Sequence, residues 1–296
     1  THIYALDART GTELWKVATG GAVQSSAAFA DGVVYIGSDD GNLYALHADT
    51  GEIKWKSRDK WHRPMTVSPA VAHGVVFVGT SNGGYWAADV ETGKEVWRFR
   101  RSRGPSAVTA PAVEGTQVYL PTSSIHGNLA DIRTELSVWH SNRGASLTAP
   151  VIADGNVILV YRWLRALDMA GGKRRWEYRT EAPANSGFKV LSAPAVAKGV
   201  AYFGSDYNKV YAVDANRGTE LWTADTGGAV QSAPSVAAGV VYLGCTDGHV
   251  YALDAATGRL RWKHPLGAWV NTSPWPGDGV VYVGCDDGRV VALGER

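Results

Sequence analysis

Polar and apolar residues alternate along this chain in short runs, each closed by a glycine-rich turn. Runs of that length and period are strands, half-buried or fully buried. Residues 230–236, 240–244, 250–254 and 260–263 make one set of four, with Pro234 in the first run and Trp262 in the last. The set recurs in altered form from end to end. Trp15, Trp55, Trp97, Trp139, Trp176, Trp222 and Trp262 mark its register at intervals of 40, 42, 42, 37, 46 and 40 residues. A period near forty built from four short strands predicts an all-β fold, a β-propeller of four-stranded antiparallel blades.

The punctuation between runs has a chemical reason. Glycines at 239, 248 and 258 stand where tight connections need positive φ, and this use accounts for the 35 glycines of the chain. Pro69, Pro111, Pro150, Pro194, Pro234 and Pro274 share one slot in the first strand, which predicts its start or an irregular stretch, since proline cannot donate to a central ladder. Two residues before it stand Ser25, Val67, Thr109, Thr148, Ser192, Ser232 and Thr272. Their hydroxyls are expected to satisfy backbone groups between crowded inner strands; a hydrophilic ring near a central channel is the other reading.

The motif Ala-x-Asp-x-x-Thr-Gly-x-x-x-Trp occupies residues 5–15, 87–97 and 252–262, and residues 212–222 and 45–55 depart from it only at Arg217 and His47. It resembles the tryptophan-docking motif of the PQQ-like (quinoprotein-type) β-propeller repeat family, and the match runs over all 296 residues. The resemblance implies that each tryptophan lies on an outermost strand and packs against the next blade. Third-strand segments occur eight times, at 4–7, 44–47, 85–89, 129–132, 165–168, 211–214, 251–254 and 290–293, whereas the other three strands occur seven times each. Eight blades are therefore expected, the first incomplete, with seven as the alternative. The opening in mid-blade without an initiator Met is read as truncation. A single propeller domain is expected over residues 1–296.

Composition narrows the partners. Apolar residues make up 45% of the chain and charged ones 19%, enough for a core; 29 basic against 28 acidic residues give a net charge of +1. No long-range field is available to gather nucleic acid or an anionic membrane. No stretch of 18 apolar residues occurs, so no transmembrane segment is expected. Cys245 and Cys285 hold the same slot of successive repeats and are expected to be free thiols, too far apart to bridge.

Candidate chemistry lies where the repeat fails. In a propeller the fourth-to-first and second-to-third connections share one face, and here that face is irregular. Its departures are Trp61, His62 and Arg63; Arg100, Arg101 and Arg103; His126; Arg162 and Trp163; Phe188 and Lys189; and Trp269 with Asn271. Aromatic rings beside cationic groups suit an anion, a sugar-like or aromatic ligand, or a protein segment. The plainer reading makes the tryptophans loop caps and the arginines a solvated rim.

Enzyme chemistry is hard to place. No zinc spacing, phosphate loop, nucleophile elbow or adjacent cysteine pair occurs. Asp39–Asp40 and Asp286–Asp287 sit in Asp-Gly turns where a turn role suffices, so no cofactor, neither PQQ nor calcium, is expected. The preferred function is a non-enzymatic sensor or scaffold propeller holding a protein segment or a small polar or anionic ligand. The resemblance extends to propellers fused to, or associated with, a membrane-anchored or kinase domain. It leans towards a periplasmic or extracytoplasmic location and leaves the cytoplasm open. The alternative is a small quinoprotein-like oxidoreductase or a loop-based tailoring enzyme.

Overall fold

Each short alternating run becomes a strand. The computed structural model describes residues 1–58, 63–81, 84–99, 109–121, 127–134, 137–141, 148–160, 163–180 and 192–294, and among them are 29 strands and no helix. The strands form six four-stranded antiparallel meanders, one two-stranded sheet at the start and one three-stranded sheet at the end. We number these repeats 1 to 8 (2–18, 28–58, 70–99, 112–141, 151–178, 195–225, 235–265 and 275–294). Repeats 1 to 4 belong to one compact unit, residues 1–146, and repeats 5 to 8 to a second, residues 147–296.

Repeat 7 shows how sequence sets the register. Its strands are Ser235–Ala237, Val240–Gly244, His249–Asp254 and Leu260–Pro265. The first is shorter than the apolar run at 230–236 because Pro234 defers pairing to the following residue. On the outer pair Ala252 faces Trp262 but Leu253 faces Leu260, so Arg261 is the extra residue of a bulge. The same irregularity recurs in repeats 1, 2, 3, 4, 5 and 6. A bulge re-aims the neighbouring side chain, here the tryptophan.

The turn that follows the third strand is built from side chains. Asp254 Oδ1 accepts the amides of Ala256 and Thr257 and the Thr257 hydroxyl, at 3.1, 3.0 and 2.9 Å. Asp7, Asp89 and Asp131 accept the same three bonds. Gly258 closes the turn at φ +71, where a β-carbon would also meet the Trp222 ring at 2.6 Å. Hydrogen bonds from Arg261 first and Thr257 second bring the Asp254 carboxyl down to about 2.

That turn receives the tryptophan of the preceding repeat. The Trp222 indole N–H donates to the Ala255 carbonyl at 3.0 Å; Trp15, Trp55, Trp97 and Trp176 donate likewise to Ala48, Val90, Ile132 and Ala215 at 2.7, 2.9, 2.6 and 3.0 Å. The ring thus lies on a bare glycine while its N–H satisfies a carbonyl left over by the turn. Trp262 is 38% exposed, and no such turn follows repeat 8 among the described residues.

Second strands are stitched to the next repeat through glycine. A β-carbon at Gly37, Gly204 or Gly244 would lie 2.6 Å from the Met65 carbonyl oxygen, 2.2 Å from a Val230 methyl or 2.4 Å from the Val270 carbonyl oxygen. The amides of Met65, Val230 and Val270 donate to the carbonyls of Ser38, Ser205 and Cys245 at 3.0, 3.0 and 3.2 Å. Both cysteines are buried free thiols, and burial pushes Cys245 up to about 11.

Candidate functional site

The third-strand residue just before the one opposite the tryptophan occupies one slot in every repeat. In repeat 2 it is Tyr44, whose hydroxyl donates to Asp40 Oδ2 at 2.6 Å; the Gly20 amide reaches the same oxygen at 2.9 Å, and the Asn42 amide reaches Oδ1. In repeat 7 Tyr251 donates to Asp247 Oδ2 at 2.5 Å and accepts the Gly227 amide at 2.9 Å. This clasp ties the second-to-third turn to the fourth-to-first connection. Burial raises the Asp247 carboxyl, but bonds from Tyr251, Cys245 and the His249 amide outweigh it and hold the group low. Tyr251 is pushed up to about 12 by burial and by its aspartate.

In three successive repeats the slot holds something else. Pairing of Ala87 with Trp97, Leu129 with Trp139 and Ala166 with Trp176 places Trp86, Asn128 and Arg165 there. All three are buried. Trp86 is 2% exposed and its Nε1 has no hydrogen-bond partner. A polar group buried without a partner is a cost the fold would otherwise avoid.

Arg165 stands directly across the ladder from Glu177, with Nη2 3.3 Å from Oε2. Arg174 Nη1 and Arg179 Nη2 each lie 3.1 Å from the same carboxylate. Three guanidinium groups surround one carboxylate, a local excess of two positive charges. The Arg179 guanidinium also lies 4.1 Å from the Trp163 ring centre, a cation–π stack. Arg165 and Glu177 are nearly inaccessible, whereas Arg174 and Arg179 are 44% and 65% exposed on their side chains. The inner pair fixes the cluster and the outer pair remains accessible to an anion.

The hydroxyl slot divides the repeats in the same way. Ser25, Ser232 and Thr272 each accept the N–H and donate to the C=O of the facing glycine, Gly37, Gly244 or Gly284. Ser192 accepts the Gly204 amide at 2.7 Å. These bonds satisfy backbone groups between inner strands. Repeat 3 has Val67 in the slot, repeat 4 faces Thr109 with Pro121, which lacks an N–H, and repeat 5 faces Thr148 with Val160. Thr109 Oγ1 is buried without a hydrogen-bond partner.

Of the residues singled out by sequence, Arg63 and Trp163 are half-buried and Trp269 is 61% exposed. Asn271 Nδ2 donates to Asp286 Oδ2 at 2.7 Å, a loop brace matched by Gln24 and Asp39 in repeat 2. Trp61, His62, Arg100, Arg101, Arg103, His126, Arg162, Phe188 and Lys189 lie outside the described residues. Trp86, Asn128 and Arg165 escaped notice because each sits inside a run that reads as ordinary third strand. Aligning the slot against Tyr44 and Tyr251 exposes them.

The acidic pairs are engaged within the chain. Asp40 is engaged by Tyr44 and two amides, Asp39 by Gln24, Asp286 by Asn271 and Asp287 by Arg289. Among the described residues no three acidic, histidine or cysteine side chains gather as a metal site.

Comparison with known proteins accords with the geometry. The family described as outer membrane protein assembly factor BamB matches residues 1–161, 131–214 and 161–296. BamB of Yersinia pestis is 38% identical over 82 residues, 27% of this chain and 20% of that protein. The 1-butanol dehydrogenase (cytochrome c) of Thauera butanivorans is 33% identical over 93 residues, 29% of this chain and 13% of that protein. Both alignments therefore span a small part of the relative. The crystal structure of BamB from Moraxella catarrhalis superposes with a TM-score of 0.79 at 17% identity, covering 95% of this chain and 88% of that one. At that identity the likeness concerns the fold, and it is a β-propeller of PQQ-like repeats.

Proposed function

The chain belongs to the PQQ-like repeat family of the outer membrane assembly factor BamB, and from that premise we propose a binding propeller, a sensor or scaffold without catalysis. Its site lies on the fourth-to-first and second-to-third connections, centred in the second unit on repeat 5; the altered slots of repeats 3 and 4 are a feature of the first unit by itself. The observation that carries this reading is the replacement of the slot tyrosine by Trp86, Asn128 and Arg165 in those three repeats and no other complete one. A fold that needed only rigidity would keep the tyrosine, as repeats 2, 6 and 7 do. The arginine cluster around Glu177 favours an anionic partner, an acidic protein segment above all. Family membership favours an extracytoplasmic location.

The test is a titration with a ten-residue Asp/Glu-rich peptide, followed by tryptophan fluorescence, because Trp163 lies beneath Arg179. Saturable, salt-sensitive binding is expected, weakened about tenfold or more in an Arg174→Ala, Arg179→Ala double variant, since a charge-assisted contact is worth about 1.5–3 kcal/mol. Undiminished affinity in that variant would sink the assignment to repeat 5.

The butanol dehydrogenase alignment favours a second reading, a small quinoprotein-like oxidoreductase. Addition of PQQ with calcium separates the two. An unchanged quinone spectrum and no dye-linked alcohol oxidation are expected; a bound-quinone spectrum with turnover would replace the binding account.

A further inference from the structure

Repeat 3 keeps the frame of the clasp and lacks its acid. The second-to-third turn has the same length in repeats 2, 3 and 7, closed by the pairs Gly37–Leu43, Gly79–Tyr85 and Gly244–Val250. Its first amide, of Ser38, Thr80 or Cys245, donates across the turn to Asn42, Gly84 or His249 at 3.1, 2.9 and 3.0 Å. Its second, of Asp39, Ser81 or Thr246, donates to the carbonyl of Ala22, Pro64 or Ala229 in the fourth-to-first connection at 2.9, 3.0 and 3.0 Å. The third residue is the clasp acid, Asp40 or Asp247, in repeats 2 and 7, whereas the sequence has Asn82 there in repeat 3. The donor is kept: Trp86 takes the slot of Tyr44 and Tyr251, and its buried Nε1 has no hydrogen-bond partner.

Two cations accompany that donor. Arg63 stands where repeats 2 and 7 have Gly21 and Gly228, at which a β-carbon would lie 2.5 and 2.9 Å from the backbone nitrogen of the acid. Arg98 is directly across the ladder from Trp86, which puts both side chains on one face of the sheet. Its side chain is 10% exposed and its guanidinium is held by Glu95.

We propose that Trp86 Nε1, with Arg63 and Arg98, forms a separate site that takes a small free carboxylate in the place Asp40 and Asp247 fill in their own repeats. A carboxylate offers two acceptor oxygens, and Asp40 uses both, taking the Tyr44 hydroxyl and the Gly20 amide on one and the Asn42 amide on the other. An indole N–H beside guanidinium groups presents matching donors, with charge to favour an anion. The buried N–H is unsatisfied in the chain alone, so an acceptor that reaches it removes a standing cost. Only 2% of Trp86 is accessible, which restricts the occupant to the size of acetate. The site belongs to the first unit by itself, and it neither needs nor affects the arginine cluster of repeat 5.

The experiment follows the Trp86 indole proton of the full chain by NMR, assigned by its absence from Trp86→Phe, while sodium acetate replaces sodium chloride at constant ionic strength. A saturable downfield shift of that resonance is expected, with the other indole protons unmoved. Arg98→Gln should weaken acetate binding about tenfold, the effect of losing one charge-assisted bond. Asn82→Asp, which restores the acid at that sequence position, should abolish the response. No shift with acetate, an equal shift with chloride, or an undiminished response in Asn82→Asp would overturn the proposal.

Discussion

Repeats 2 and 7 differ from repeats 3, 4 and 5 at the two positions that lie under the loop-bearing face. In the regular pair a tyrosine and an aspartate tie two connections together, and a serine satisfies both backbone groups of the opposing glycine. In the irregular three the tyrosine becomes Trp86, Asn128 or Arg165, and the serine–glycine pair becomes Val67–Gly79, Thr109–Pro121 or Thr148–Val160. Tryptophan docking is unchanged: Trp97 and Trp176 bond their carbonyls as Trp15 and Trp222 do. The outer architecture is therefore kept in repeats 3 and 5, while the slots beneath the loop-bearing face change.

The largest effect should come from the shared part. Trp222→Ala removes a buried ring and its bond to Ala255, with an expected loss of about 3–5 kcal/mol in urea unfolding; a wild-type midpoint would contradict the docking role. Next, Ser232→Ala leaves the N–H and C=O of Gly244 without their partner, and about 1–3 kcal/mol is expected to be lost. The contrast is Thr109→Val in repeat 4, where the hydroxyl has no partner: a change within about 0.5 kcal/mol, or a gain, is expected. Equal losses at the two sites would erase the distinction between the two classes of repeat.

The clasp adds a smaller, pH-dependent contribution. Tyr251 is raised to about 12, so its stabilisation is complete below the unfolded tyrosine value near 10 and is lost as pH climbs through about 12. Asp247 is lowered, so its share is present above the unfolded carboxylate value near 4 and falls away as acid protonates the folded group. Tyr251→Phe should flatten the alkaline limb of a Tm-against-pH curve. An unchanged limb would mean that the clasp carries no measurable stability.

Much of the fold was legible in the sequence because the devices that build it are local. Asp254, Thr257 and Gly258 announce a turn whatever surrounds them, and Trp262 marks the outer strand by spacing alone. The first strand was read too long, since Pro234 delays pairing in a way that alternation does not reveal. The site was less legible. Loops that break the repeat point to one face, but Trp86, Asn128 and Arg165 lie within strands, where an apolar or amphipathic residue looks ordinary. Their meaning comes from comparison with Tyr44 and Tyr251 in the same slot. Asn271, expected as a ligand contact, also braces Asp286, and the distance between those loops is a tertiary fact.

The most direct test is to map backbone amide shifts by NMR while the Asp/Glu-rich peptide is added. The account predicts shifts concentrated in residues 163–179, and none in the regular clasp at residues 226–229 and 246–249. Shifts confined to that regular clasp, or spread evenly over all repeats, would contradict it.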